Sequence, residues 1–176
     1  MSSHSLASLE IALACSVIAA VGAWPASASE TRELSFYHTH TERFLTVEYY
    51  RDGAYVEDAL VEVDTYLADF RNGETKRQDP ALLDLLYEIK TRTGTRAPFE
   101  VISAYRSPET NEMLRRAGRG VAKRSMHLEG KAIDVRLEDV PLKKLHEIAL
   151  ALKRGGVGYY SKSNFVHVDT GRVRRW

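Results

Sequence analysis

Bulky apolar and polar residues alternate along two stretches in the first third of the chain. Residues 34–37 and 44–50 are rich in aromatic and β-branched side chains, which predicts two strands. Asp52-Gly53 is a hairpin-turn signal, and residues 54–56 after it read as a short third strand.

The spacing of apolar residues then changes to the three-and-four pattern of helices. We expect Asp58 to cap a helix whose apolar stripe is Leu60, Val63, Leu67 and Phe70. Asp79-Pro80 predicts the start of a second helix, because aspartate suits the N-cap and proline the first helical position, and Gly94 predicts its end.

Short strands and helices alternate in the second half of the chain. The pattern predicts strands over residues 99–104, 132–137, 157–160 and 165–170, and helices over 107–117 and 141–154. This order favours an α+β fold in which helices pack on a largely antiparallel sheet.

An uninterrupted apolar run over residues 11–23 precedes this patterned region. It is too short to span a bilayer but fits the core of a signal peptide, and Ala26-Ser27-Ala28 supplies a small-x-small cleavage pattern. We therefore expect residues 1–28 to be a signal peptide, residues 29–176 to be a single domain, and the mature protein to be exported, without a stable membrane span. The first ten residues contain no Lys or Arg, which leaves an uncleaved anchor or a different start codon as alternatives.

Composition narrows the class of protein. The chain has 176 residues and a formal net charge of +1, which fits one domain and argues against an electrostatic nucleic-acid binder. Its one cysteine, Cys15, excludes an intrachain disulfide and a cysteine-rich zinc finger. A metal site would therefore need His, Asp and Glu, and the chain has six histidines.

Two short segments concentrate the candidate chemistry. In Ser125-Met126-His127-Leu128-Glu129-Gly130-Lys131-Ala132-Ile133-Asp134, a histidine before a strand is followed by an aspartate inside it. In the strand over residues 165–169, His167 and Asp169 share the face opposite two valines. Two imidazoles and one carboxylate form a zinc set with one open position, where a bound water reaches a pKa of about 7. The predicted chemistry is amide hydrolysis.

The pattern Ser-x-His-x-x-Gly-x-Ala-x-Asp over residues 125–134 resembles the signature of the zinc D-Ala-D-Ala metallopeptidases, peptidase family M15, whose fold is shared by the hedgehog signalling domain. Ser103-Ala104-Tyr105-Arg106-Ser107 with Asn111 resembles the strand-end arginine segment of that family. The glycine-rich run 155–160 and the segment 164–171 with Trp176 resemble its murein endopeptidase K-like branch. The resemblance covers about residues 33–176 and implies a hedgehog/DD-peptidase-like fold.

The resemblance implies an exported, periplasmic zinc endopeptidase that cuts peptide cross-links of peptidoglycan, such as D-alanyl–diaminopimelate or diaminopimelate–diaminopimelate bonds. It implies one zinc ion per chain, held by His127, Asp134 and His167. Arg106 would pair with a substrate carboxylate or the developing oxyanion, and Ser125 would support the site through a hydrogen bond.

One position departs from the family pattern. Many relatives carry a glutamate three residues before the second histidine, where it acts as general base, and this chain has Asn164. Asp169 is the candidate to replace it, with an equal expectation that Asp169 instead orients a ligand. The departure also keeps two other functions open, a D,D- or L,D-carboxypeptidase that trims stem peptides and a zinc-containing module that binds murein without cutting it.

The remaining chemical features have simpler readings. His38 and His40 are spaced like a metal pair on a strand, but a polar loop between two strands is the favoured interpretation. His146 is expected on a helix surface. A basic stretch around the motif would attract the anionic murein or be a solvated surface; it consists of Arg115, Arg116, Arg119, Lys123 and Arg124.

Overall fold

The structure is a computed structural model that describes residues 30–118 and 120–176. The predicted signal peptide, Cys15 and the side chain of Arg119 lie outside the described residues. Within these two ranges, no helix has both the length and the apolar character needed to cross a bilayer.

One sheet of eight strands forms the framework, in the spatial order β3-β2-β1-β4-β5-β7-β6-β8. Neighbouring strands are antiparallel except for the parallel pairs β1/β4 and β6/β8. The strands are β1 (Thr31–His38), β2 (Arg43–Arg51), β3 (Ala54–Tyr55), β4 (Phe99–Ser103), β5 (Ala132–Arg136), β6 (Gly156–Tyr160), β7 (Phe165–Asp169) and β8 (Arg174–Arg175).

In the part of the chain that the structure describes, four α-helices and one 3₁₀ turn complete the fold: α1 (Glu57–Tyr66), α2 (Pro80–Thr93), α3 (Pro108–Arg116), α4 (Leu142–Leu152) and the turn Met126–Glu129. Helices α1, α2 and α4 pack against the sheet and share one apolar core with it. The predicted α+β class, with helices on a mostly antiparallel sheet, is confirmed.

The alternation of side chains along each strand determines which residues lie on the face of the sheet opposite the core. On β5, Ile133 and Val135 are buried in the core, and on β7 Val166 and Val168 are. Successive side chains on a strand point to opposite faces, so Asp134 and His167 lie together on the other face. Burial of the apolar residues in the core therefore fixes the register of β5 and β7, and this register places Asp134 next to His167.

The starts of two helices agree with the predictions, and the start of a third does not. The Asp79 carboxylate accepts from the Ala81 N–H ahead of α2, and Gly94 ends that helix at φ 69°. Ser107 caps α3 by accepting from the Thr110 N–H. The prediction that Asp58 caps α1 was wrong, because α1 begins at Glu57 after Val56.

The end of α1 also differs from the prediction. The helix ends at Tyr66, so Phe70 lies beyond it and is not part of its stripe. The Asp69 carboxylate accepts from the Arg71 N–H at 3.2 Å and the Asp69 carbonyl from the Gly73 N–H at 2.7 Å, which closes a turn where the helix would have continued. Local side-chain bonds of this kind compete with the helix.

The segment between α1 and α2, residues 67–79, braces the candidate site from behind. Asp69 accepts from both the N–H (2.9 Å) and the hydroxyl (2.8 Å) of Ser107, next to Arg106. The Asp79 N–H donates to the carbonyl of Gly130 at 2.8 Å, in the loop after His127. Both loops that carry site residues are thus hydrogen-bonded to this one segment.

We expect Asp69→Ala to lower the free energy of unfolding by about 3 kcal/mol, because it leaves buried donors of Ser107 without an acceptor. Burial opposes the charge of Asp69, but bonds from Thr110 and Ser107 outweigh it and lower its pKa below 3.8. A carboxylate whose pKa is lower in the folded state stabilises the fold at pH values above its pKa in the unfolded state. This stabilisation is lost as the pH falls and the carboxylate is protonated. The difference in stability between wild type and Asp69→Ala should therefore shrink below about pH 4.

Urea unfolding at pH 7, 4 and 3 measures this effect. Glu138→Ala, at an exposed carboxylate, is the matched control and should change the stability by less than about 0.5 kcal/mol. Equal stabilities of the Asp69 and Glu138 variants at pH 7 would show that the brace contributes nothing.

Candidate metal centre

Three side chains from three elements converge on the open face of the sheet. His127 comes from the 3₁₀ turn, Asp134 from β5, and His167 from β7, directly opposite Asp134 in the strand register. Asp134 Oδ1 lies 2.8 Å from His167 Nδ1 and 3.2 Å from His127 Nε2, and the two nitrogens are 3.2 Å apart. All three residues are buried.

The loop that carries His127 owes its shape to local bonds. Ser125 Oγ accepts from the His127 N–H at 3.3 Å and starts the turn. Gly130 ends it at φ 66°, and a Cβ there would lie 2.3 Å from the carbonyl oxygen of Arg77. Glycine is therefore required for both its backbone conformation and its close approach to the bracing segment.

Hydrogen bonds on the far side of each ring determine which nitrogen carries the proton. His127 Nδ1 lies 2.6 Å from the carbonyl oxygen of Ala104, an acceptor, so this nitrogen donates. His167 Nε2 lies 2.9 Å from Asp169 Oδ2 and donates to it. The remaining nitrogens, His127 Nε2 and His167 Nδ1, are therefore the ones that could bind a metal ion beside Asp134.

The donor set fits a metal ion. Ligands about 2.0–2.1 Å from a tetrahedral zinc lie about 3.3 Å from one another, close to the three separations here. Burial lowers the pKa of the His127 imidazole, which favours its neutral form. Burial opposes the charge of Asp134, but the two histidines hold its pKa well below its usual range. Among the described residues, no other group of three metal-ligating side chains converges in this way.

Asp169 lies on the far side of the His167 ring from Asp134 and is hydrogen-bonded by several donors. Its carboxylate accepts from His167 Nε2, from the N–H groups of Gly156 and Gly171 at 2.9 and 2.8 Å, and from Arg174 Nη2 at 2.7 Å. The side chain is fully buried. Burial disfavours its charge, but His167 and Arg174 more than offset this and hold the pKa of Asp169 below its ordinary value.

Arg106 approaches the centre from the end of β4. Its Nη2 donates to Asp134 Oδ2 at 2.9 Å, and its Nε donates to Ser103 Oγ at 3.0 Å. The Arg106 N–H also donates to the carbonyl of His127 at 3.2 Å. Arg106 thus connects Asp134 to the His127 loop.

A cavity of about 290 Å³ opens over the three converging residues. Arginines form part of its wall, and aromatic rings form another part: Arg106, Arg124, Arg174, Tyr160, Phe165 and Trp176. Asp134 is its one carboxylate among the described residues, so Asp169 does not line it. Asn164 is also absent from the lining. Ser125 lines the cavity, but its bond goes to the backbone of His127 rather than to the ring.

The last residues of the chain build the aromatic side of this wall. Trp176 lies with its ring centre 5.2 Å from that of His167, and its Nε1 donates to Tyr160 Oη at 2.8 Å. A Cβ on Gly158 would come within 2.7 Å of the indole, and one on Gly156 within 2.5 Å of Arg174. The two glycines of β6 leave the space that Arg174 and Trp176 occupy.

One residue near the centre was not predicted from the sequence, and three histidines lie outside the centre. Arg174 is a functional residue that the sequence pattern does not predict, although the two glycines at positions 156 and 158 indicate that a large side chain packs on β6. His38 is buried beside Phe70, and His40 stacks on the same ring at 4.2 Å, so neither joins the metal group. His146 packs against Tyr159 at 4.8 Å on α4.

Comparison with known proteins agrees with this geometry. A model of the M15 peptidases, described as peptidoglycan L,D-endopeptidase MepK, matches residues 26–176. The chain belongs to this family. The M15 resemblance read from residues 125–134 is therefore confirmed, and the protein is a peptidase.

Relatives of known name cover most of the chain. Peptidoglycan L,D-endopeptidase MepK of Escherichia coli K12 is 40% identical over 150 residues, 85% of this chain and 82% of the relative. Probable peptidoglycan L,D-endopeptidase MepK of Haemophilus influenzae is 44% identical over 151 residues, 85% of this chain and 81% of the relative. No solved structure was found to match.

We expect Gly158→Ala to move the Trp176 indole away from His167, because its methyl group would overlap the ring. The ring would become more solvated, so its fluorescence should shift to longer wavelength. The measurement needs a Trp24→Phe background, since Trp24 is the other tryptophan.

Ser163→Ala, in the exposed turn between β6 and β7, is the control and should leave the emission unchanged. An emission maximum in Gly158→Ala identical to that of the control would contradict the packing of Trp176 over β6.

Proposed function

We propose that this protein is a zinc endopeptidase that hydrolyses diaminopimelate–diaminopimelate cross-links of peptidoglycan. The convergence of His127, Asp134 and His167 beneath a cavity in a member of the MepK family carries the proposal. Of the two cross-links expected from the sequence, this one joins an L centre to a D centre. D-alanyl–diaminopimelate joins two D centres, and the relatives are named L,D-endopeptidases.

Zinc suits the donor set better than harder cations do. Mg²⁺ and Ca²⁺ prefer six or more oxygen ligands, whereas two imidazoles and one carboxylate favour zinc. His127 Nε2, His167 Nδ1 and Asp134 Oδ1 would hold it, and their number leaves one position open. When bound, zinc supplies Lewis acidity that activates water at neutral pH.

Arg106 would act on the substrate from the cavity wall. Its side chain is only 11% exposed and is oriented by Asp134 and Ser103, so the guanidinium has little freedom to move. A donor fixed in this way stabilises negative charge that develops on the carbonyl oxygen without the cost of reorganisation. Ser125, at the cavity wall, is available to bind the substrate peptide.

We propose Asp169 as a positioning residue rather than the general base. Its carboxylate is fully buried, lies outside the cavity lining and is occupied by Arg174, two backbone N–H groups and His167. A general base must reach the proton that it abstracts. Holding the proton on His167 Nε2 instead keeps Nδ1 free to bind the metal.

The proposed substrate places the protein in the cell envelope. Peptidoglycan lies outside the cytoplasmic membrane, so the protein must be exported to reach it. The signal-peptide pattern of residues 1–28 supports export to the periplasm, with no nucleic acid among the partners.

The decisive measurement is digestion of purified cross-linked muropeptides, followed by chromatography. We expect diaminopimelate–diaminopimelate dimers to be converted to monomers, the conversion to stop with a chelator, and zinc to restore it. Loss of terminal D-alanine with intact dimers would instead identify a carboxypeptidase. No change in either species would favour a binding module.

Metal content provides the control for this digestion. His127→Ala and His167→Ala should each lose bound zinc and cleavage together, whereas His146→Ala, outside the centre, should retain one equivalent. A full equivalent of zinc in both of the first two variants would refute the ligand assignment.

Asp169→Asn separates a positioning role from a base. We expect it to weaken zinc affinity about 10–100-fold, measured by competition with a metal-binding dye. Cleavage should recover to within a few-fold of wild type at saturating zinc. Glu129→Gln, at an exposed carboxylate beside the His127 loop, should change neither property. A rate of Asp169→Asn that stays about 100-fold low in excess zinc would identify Asp169 as the base.

A further inference from the structure

Three arginines line the cavity, and two of them are already paired. Arg106 Nη2 donates to Asp134 at 2.9 Å, and Arg174 Nη2 donates to Asp169 at 2.7 Å. Arg124 is exposed at the cavity wall and has no hydrogen-bond or ion-pair partner among the described residues. It is the arginine of the cavity whose charge the protein does not itself neutralise.

Neither the loop that carries Arg124 nor the cavity lining offers it a free carboxylate. The chain has no acidic residue between Glu112 and Glu129. The one carboxylate of the cavity lining, Asp134, is engaged by Arg106 and the two histidines. A negatively charged group that enters the cavity would therefore meet an available guanidinium.

The backbone next to Arg124 is well defined. The neighbouring Ser125 accepts from the His127 N–H through its hydroxyl and from the Leu128 N–H, at 3.0 Å, through its carbonyl. Arg124 thus projects from the start of the same turn that carries a metal-ligating histidine. A group bound to it would lie in the same cavity as the bond to be cut.

We propose that Arg124 binds a free carboxylate of diaminopimelate and makes that carboxylate a requirement for efficient cleavage. The proposal rests on the proposed function, since it assigns a substrate group to the same cavity. Each diaminopimelate of the cross-link carries a carboxylate at its D centre, and a guanidinium matches a carboxylate with two parallel hydrogen bonds.

The neighbouring residue provides a matched control for this contact. Lys123 is also exposed and carries the same unit charge, but it does not line the cavity. General attraction of an anionic polymer would depend on both residues, whereas direct binding depends on Arg124 alone.

The experiment compares wild type, Arg124→Gln and Lys123→Gln on three dimers. One dimer has free D-centre carboxylates, one is amidated on the residue that gives the scissile carbonyl, and one on the residue that gives the amine. We expect wild type to cut one amidated dimer with a kcat/KM about tenfold lower, which identifies the bound carboxylate. Arg124→Gln should cut the free dimer with the same tenfold lower kcat/KM, and amidation of the bound carboxylate should lower this value no further. Lys123→Gln should behave like wild type on all three dimers.

Two results would overturn the proposal: Arg124→Gln discriminating between free and amidated dimers as wild type does, or Lys123→Gln losing as much activity as Arg124→Gln. If wild type cuts no dimer, the proposed function fails separately. Calorimetric binding of monomeric muropeptides with free or amidated diaminopimelate then tests Arg124, and equal affinities of wild type and Arg124→Gln for the free form would refute it.

Discussion

The pairing of β5 with β7 is the constraint on which the rest of the site depends. Asp134 lies directly opposite His167, and the valines that alternate with them are buried in the core on the other face. A slip of one residue would reverse the faces of a strand, burying its polar groups and exposing its valines. The free energy of the hydrophobic core therefore also fixes the separation of two atoms of the candidate metal centre.

A layer of hydrogen bonds behind the three candidate ligands orients each of them. The Ala104 carbonyl holds the proton of His127, Asp169 holds that of His167, and Arg106 donates to Asp134. Asp169 is in turn held by Arg174 and two backbone N–H groups. Such outer contacts tune a metal site almost as strongly as its ligands. Asp169 itself is close to the centre in sequence, but it is fully buried and does not line the cavity.

Sequence patterns predicted most elements of the fold because helices and strands that bury one face repeat their apolar residues regularly. They failed where local hydrogen bonds override that repeat. Asp69 closes a turn that leaves Phe70 outside α1, and the 3₁₀ turn at Met126–Glu129 and the two-residue β8 are too short to show a period. The positions of Arg174 and Trp176 depend on space left by Gly156 and Gly158, which becomes visible only once β6 and β8 are adjacent.

The sequence by itself determined the α+β class, the M15 family and the three candidate ligands. The class follows from the periodicity of the apolar residues, whereas the family and the ligands follow from a short motif of polar residues that can be recognised in the linear sequence. The tertiary structure alone decided which carboxylates face the cavity, which arginines are already paired, and that His38 and His40 pack on Phe70 instead of joining the metal group. The physical reason is that pairing and burial depend on contacts between residues far apart in the chain, and neither spacing nor composition records those contacts.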